Sequence, residues 1–72
     1  MDVQKIKGKM AERNYSITSF AQALGISRNT LSLYLHSPGK TPFEIVSKMA
    51  ELLCSGPDEA VQIFFASYFR GT

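Results

Sequence analysis

Residues 16–35 read SITSFAQALGISRNTLSLYL, and this stretch decides the fold. Ser16 and Ser27 each stand just ahead of a run with helical spacing. A serine oxygen accepts a hydrogen bond from an orphan amide at a helix start, so both serines read as N-caps. Counting from Ile17, the residues Phe20, Ala21 and Leu24 follow at spacings of 3, 4 and 7, one stripe of a helix. Gly25 ends that helix, because glycine takes the left-handed conformation without a Cβ penalty. Behind Ser27, an inward stripe of Leu31, Tyr34 and Leu35 leaves Arg28, Asn29, Ser32 and Leu33 pointing outward. Ala21 is small enough for the two helices to approach closely. Ile26 fills the angle between them, and Leu31 anchors the second to a core. Such a pair presents the N-terminal end of its second helix outward, where it fits a groove about 12 Å wide.

Working outward, three more helices are expected. The first runs from about Asp2 to Arg13, with Val3, Ile6 and Met10 on one stripe, and Asn14 and Tyr15 end it. Ser37-Pro38-Gly39-Lys40 is a turn, with proline at its second place and glycine at its third. Thr41-Pro42-Phe43-Glu44 then reads as a capping box with proline at the first helical position. Phe43, Val46, Met49, Ala50 and Leu53 supply the stripe of this fourth helix, which Ser55-Gly56-Pro57 breaks. The fifth runs from about Pro57 to Phe69, with Asp58 and Glu59 in the first turn, where the helix dipole favours negative charge. Val61, Ile63, Phe64, Phe65, Tyr68 and Phe69 cover more than one of its faces, either closing the core or offering a partner surface. Phe20, Phe43 and Phe64 are expected in the core. The whole is an all-α, five-helix domain over residues 1–72, with helices near 2–13, 16–24, 27–36, 41–54 and 57–69.

The composition narrows the function. Seventy-two residues make one domain, and a chain this short has a marginal core. With one cysteine, Cys54, no internal disulfide is possible. His36 is the only histidine, so no cluster has metal-ligand spacing, and no metal or other cofactor is expected. No apolar run reaches the ~20 residues of a membrane span, and the charged, periodic opening is unlike a signal peptide. A cytoplasmic protein is the expectation. The net charge of +2 is divided unevenly: residues 1–40 carry six basic and two acidic residues, residues 41–72 two basic and four acidic. A basic half joined to an acidic half suggests that one face meets phosphates and the other does not.

With these residues in place, the chain resembles the helix-turn-helix domain of the Cro and CI repressors of temperate phages, the lambda-repressor-like family. The resemblance covers about residues 3–53. It rests on Phe20-Ala21, Leu24-Gly25-Ile26-Ser27, Leu31-Ser32 and Tyr34, followed by a turn and a helix opening with proline. It implies five helices, sequence-specific operator binding, and a homodimer formed through the C-terminal segment. Carried over by position, the base-reading residues are Arg28, Asn29 and Ser32, with Leu33 where the family often has a polar reader. Arginine pairs with guanine and asparagine with adenine by two hydrogen bonds each. The phosphate-facing residues are Ser16, Thr30, Lys40 and Thr41, those at Ser16 and Thr41 through helix-start amides. Lys5, Lys7 and Lys9 either add a phosphate-facing rim or form a solvated face.

The chain departs from the family in carrying Ile17 where a phosphate-binding glutamine is common, and Leu33 and Leu35 where charged residues are common. These departures open a second expectation: a modulator of repression that binds a phage repressor through Leu33, Phe65, Tyr68 and Phe69. Enzyme chemistry is not expected. His36 is alone in a polar turn, where it is solvated or touches phosphate, and Cys54 reads as a buried structural thiol. Gly39-Lys40-Thr41 resembles the end of a P-loop, but Tyr34 stands where the upstream glycine is required.

Overall fold

The structure, a computed structural model, describes residues 1–65, Phe65 by its backbone alone. Among the described residues there are five helices and no strand: α1 Val3–Glu12, α2 Ile17–Leu24, α3 Arg28–His36, α4 Phe43–Leu53 and α5 Pro57–Ala60. A short 3₁₀ turn, Pro38–Lys40, joins α3 to α4.

Local chemistry sets most of the boundaries. The Asp2 carboxylate caps α1 by accepting from the Lys5 amide at 3.2 Å. Two helices then end in the same way. After α1, Asn14 turns left-handed with φ 60°, the Asn14 amide donates to the Ala11 carbonyl, and the Tyr15 amide donates to Met10. After α2, Gly25 does so with φ 76°, its amide donating to Gln22 and that of Ile26 to Ala21. In both, the paired bonds satisfy carbonyls that the helix end would leave open. Asparagine and glycine are the residues that tolerate this backbone most readily.

The core draws on every layer of the fold. Ile6 and Met10 of α1, Phe20, Ala21 and Leu24 of α2, Leu31 of α3, and Val46, Met49, Ala50 and Leu53 of α4 are buried. Ile63 and Phe64, just past α5, close it, and no charged or polar residue is buried with them among the described residues. Tyr15 lies over its edge, its ring centroid 5.0 Å from that of Phe20 and tilted by 51°. The last turn is fastened to α1 from two sides. The Asp2 amide donates to the Ile63 carbonyl at 2.7 Å, and Lys9 Nζ lies 3.0 Å from Glu59 Oε1 and 3.6 Å from Glu12 Oε1. Arg13 reaches Ser55 Oγ at 3.4 Å, and the Ser55 amide donates to Glu59 Oε1 at 3.3 Å. Exposed pairs of this kind contribute little energy individually, yet they fix where the last segment lies.

Three expectations are corrected. The capping box at Thr41 does not form. The Thr41 amide is used by the 3₁₀ turn, donating to Pro38, and the first helical bond runs from Val46 to the carbonyl of Pro42. The helix therefore starts one residue later, with Pro42 at the cap and the Thr41 hydroxyl buried without a partner among the described residues. Phe43 is not in the core: it is 62% exposed, because the first turn of α4 extends past the layer formed by Val46, Met49 and Leu53. The fifth helix is not one regular element over its described part. After α5 the chain widens into a π-type turn over Val61–Phe65. A wider turn advances each residue by a smaller angle, which lets the neighbours Ile63 and Phe64 both face inward. The partner surface expected at Phe65, Tyr68 and Phe69 lies outside the described residues, as regards its side chains.

Candidate nucleic-acid interface

The unit built by residues 16–36 is two short helices joined by a sharp turn. Ser16 caps α2 by accepting from the Ser19 amide at 3.0 Å, and Ser19 Oγ accepts in return from the Ser16 amide at 2.9 Å. This reciprocal pair is a capping box closed by a serine, where the usual third residue is glutamate or glutamine. Ser27 Oγ accepts from the Thr30 amide at 3.1 Å and donates to Thr30 Oγ1 at 2.7 Å. The Thr30 hydroxyl keeps its own proton to give to an outside acceptor.

The angular arrangement of α3 follows from about 100° per residue. Leu31 is fully buried, and Tyr34 and Leu35 are partly buried beside it. Arg28, Ser32, His36, Asn29 and Leu33 fall, in that order, within an arc of about 140° on the other side. Arg28, Asn29 and His36 are exposed, Ser32 is half-buried, and Leu33 is 47% exposed. Neither Arg28 nor Asn29 has a hydrogen-bond or charge partner among the described residues, so both are available to an outside ligand. The structure thus brings Arg28, Asn29, Ser32 and Leu33 together on one face.

The expected phosphate-facing groups are more scattered. The Ser16 amide is already engaged by Ser19, which leaves the following amides of Ile17 and Thr18 at the head of α2. The Thr41 amide is engaged as described above. Lys40 is exposed at the end of the 3₁₀ turn. The three lysines of α1 do not form one rim. Lys9 is paired with Glu59 and Glu12 on the side of α5, and these pairs hold its ammonium above the usual lysine range. Lys7 lies on the opposite side, lining a shallow dip with Ile17, Ser32, Leu35 and His36. The reading of the sequence missed this dip. The signal was the spacing of Arg28, Ser32 and His36 at i, i+4 and i+8, but the contribution of Lys7 depends on tertiary placement.

Burial, followed by the Glu59 charge, pushes the Cys54 thiol up, which disfavours the reactive thiolate. Among the described residues no group of histidines, cysteines and carboxylates is placed to hold a metal, and no helix is long and apolar enough to cross a membrane.

A capped helix, a left-handed turn and a second helix with an open outward face define a helix-turn-helix protein. The chain matches the family model of the Cro/C1-type HTH DNA-binding domain over residues 5–62. It belongs to that family and is a DNA-binding transcription regulator. No curated protein and no solved structure matches it significantly.

Proposed function

We propose that this protein regulates transcription by inserting the outer face of α3 into the major groove of operator DNA. The observation that carries this reading is the exposed pair Arg28 and Asn29, without a partner among the described residues, on the first turn of a helix anchored by Leu31 and the Ser27 cap. In this reading Arg28 takes a guanine edge, Asn29 an adenine edge, and Ser32 a neighbouring base. Leu33 touches a thymine methyl. Thr30, Lys40 and the helix starts near Ser16 and Thr41 meet the backbone. The protein acts as a homodimer in the bacterial cytoplasm, within a phage lysis–lysogeny switch, as its likeness to Cro and CI repressors suggests. The test is selection of duplexes from a random-sequence DNA pool, followed by binding to the enriched duplex. Arg28→Ala and Asn29→Ala are each expected to cost about 1–3 kcal/mol and to relax the preference at one base pair. Absence of any enriched sequence refutes the reading.

A second reading is favoured by the exposure of Leu33 on that same face and by Ile17 at the head of α2. Both suit contact with another protein, as in a modulator of repression that pairs with a phage repressor. Co-sedimentation with a Cro/CI-type phage repressor, together with no sequence preference alone, supports that role over operator binding.

A further inference from the structure

The side of α1 turned away from the core carries a charge pattern that complements itself. Ile6 and Met10 are buried, and at about 100° per residue Gly8 stands on the opposite side of the helix. Gly8 is exposed, and nothing among the described residues lies within 4 Å of where its Cβ would stand. Glycine at an exposed place inside a helix weakens that helix, and no packing among the described residues requires it here. Lys5 and Glu12 flank Gly8 on one side, about 60° and about 40° round the helix. With Gln62 and Ile63 of the last turn they line a shallow groove. Lys5 is exposed, with no ion pair among the described residues. Glu12, its side chain 66% exposed, is paired there with Lys9 alone, at 3.6 Å. Gln4 and Ala11 flank Gly8 on the other side, and both are exposed and uncharged.

A two-fold axis at Gly8 matches this pattern to itself. Where two copies of α1 cross antiparallel at Gly8, Lys5 lies about 4.5 Å before the crossing and Glu12 about 6 Å after it. Each lysine then stands across from the glutamate of the other chain, twice over by symmetry. Gln4 and Ala11 meet on the far side, so no like charges come opposite one another. The bare Gly8 lets the two backbones approach closely. The axis lies between the helices, at right angles to their length and to the line joining them. Lys7 points roughly along it, about 100° round from Gly8 on the uncharged side, into the dip it shares with Ser32 and His36. Rotation about the axis keeps that direction, so both copies turn the side nearest the outer ridge of α3 the same way.

We propose that this face of α1 pairs with the same face of a second copy, Lys5 of each chain meeting Glu12 of the partner subunit. The pairing rests on the homodimer reading above and gives it a surface other than the C-terminal segment. A single helix crossing is smaller than the ~1,200 Å² of a standard interface, so the dimer is weak and depends on protein concentration.

The test is sedimentation equilibrium of the full chain over a range of concentrations, with melting curves of each variant at low concentration. The wild type is expected to pass from monomer to dimer. Lys5→Glu removes both ion pairs and sets like charges opposite, and is expected to weaken the dimer about tenfold. Lys5→Glu combined with Glu12→Lys is expected to restore it. Gly8→Gln is expected to abolish the dimer yet melt a few degrees higher, since glutamine is the better helix former. A merely structural role for Gly8 would not give rising stability with falling association. A wild type that stays monomeric overturns both this pairing and the homodimer. A dimer that persists equally in Lys5→Glu and Gly8→Gln, or a double variant that associates no better than Lys5→Glu, overturns the pairing alone. Enrichment of a duplex from random-sequence DNA reads operator binding separately.

Discussion

Replacing Gly25 with alanine separates the conformational cost of the turn from any crowding. Gly25 has φ 76° and ψ 27°, and no heavy atom lies within 4 Å of where a Cβ would stand. The whole penalty is therefore that of a left-handed backbone, about 1–2 kcal/mol for a residue with a Cβ. Alanine also restricts the unfolded chain, which offsets about 0.4–1 kcal/mol of this. Mid-range values, about 1.5 kcal/mol against about 0.7, leave an expected net loss of about 0.8 kcal/mol. In a domain of this size 1 kcal/mol moves the melting temperature by about 4–8 °C, so a fall of about 3–6 °C is expected. Urea denaturation should show a lower midpoint with an unchanged slope, because the core is untouched. Gly25→Asn should lose less, since asparagine accepts this backbone more readily. An alanine variant at least as stable as the parent refutes the left-handed assignment. A loss beyond about 3 kcal/mol refutes the open space around the turn.

Two further perturbations test other parts of the structure. Leu31→Ala removes a fully buried side chain and is expected to cost about 2–5 kcal/mol, a large share of the stability of so small a domain. Phe43→Ala, at an equally apolar but exposed position, is expected to cost less than about 1 kcal/mol; comparable losses in thermal melts would contradict the placement of Phe43. The Lys9–Glu59 pair predicts a pH signature. The bond from Lys9 and, more weakly, that from the Ser55 amide hold the Glu59 carboxyl below its usual range, against the opposing effect of burial. A carboxylate depressed in the folded state stabilises above its unfolded value, near 4.5, and that stability is lost as pH falls through the lower folded value. Denaturation midpoints between about pH 5 and 2.5 should therefore fall more steeply in the parent than in Glu59→Gln; parallel curves would show that the pair adds nothing.

Much of this architecture is legible from local chemistry. Ser16, Ser27 and Gly25 act through bonds to residues three or four positions away, so the two helices and the turn between them could be read directly. The outward face of α3 follows from helical periodicity once Leu31 is taken as its anchor. What could not be read depends on distant partners or on competing local bonds. Thr41 has the residue type of a cap, but its amide serves the preceding 3₁₀ turn and the helix begins one step later. Phe43 keeps the stripe spacing of α4, yet spacing alone does not say how far along a helix the core extends. Lys7 and Lys9 are two residues apart in a run of similar lysines. Only the arrangement of helices sends one toward Glu59 and the other toward His36.

The single buried anchor of α3 has a consequence for how such a protein changes over generations. Leu31 is the only fully buried residue of that helix, and its outward arc of Arg28, Asn29, Ser32, Leu33 and His36 lies outside the core. Substitutions along the arc alter what the helix touches while the folding equilibrium scarcely registers them. Recognition can drift in sequence while the scaffold stands still. Descendants of one such chain can part company over which site they read without passing through an unstable ancestor.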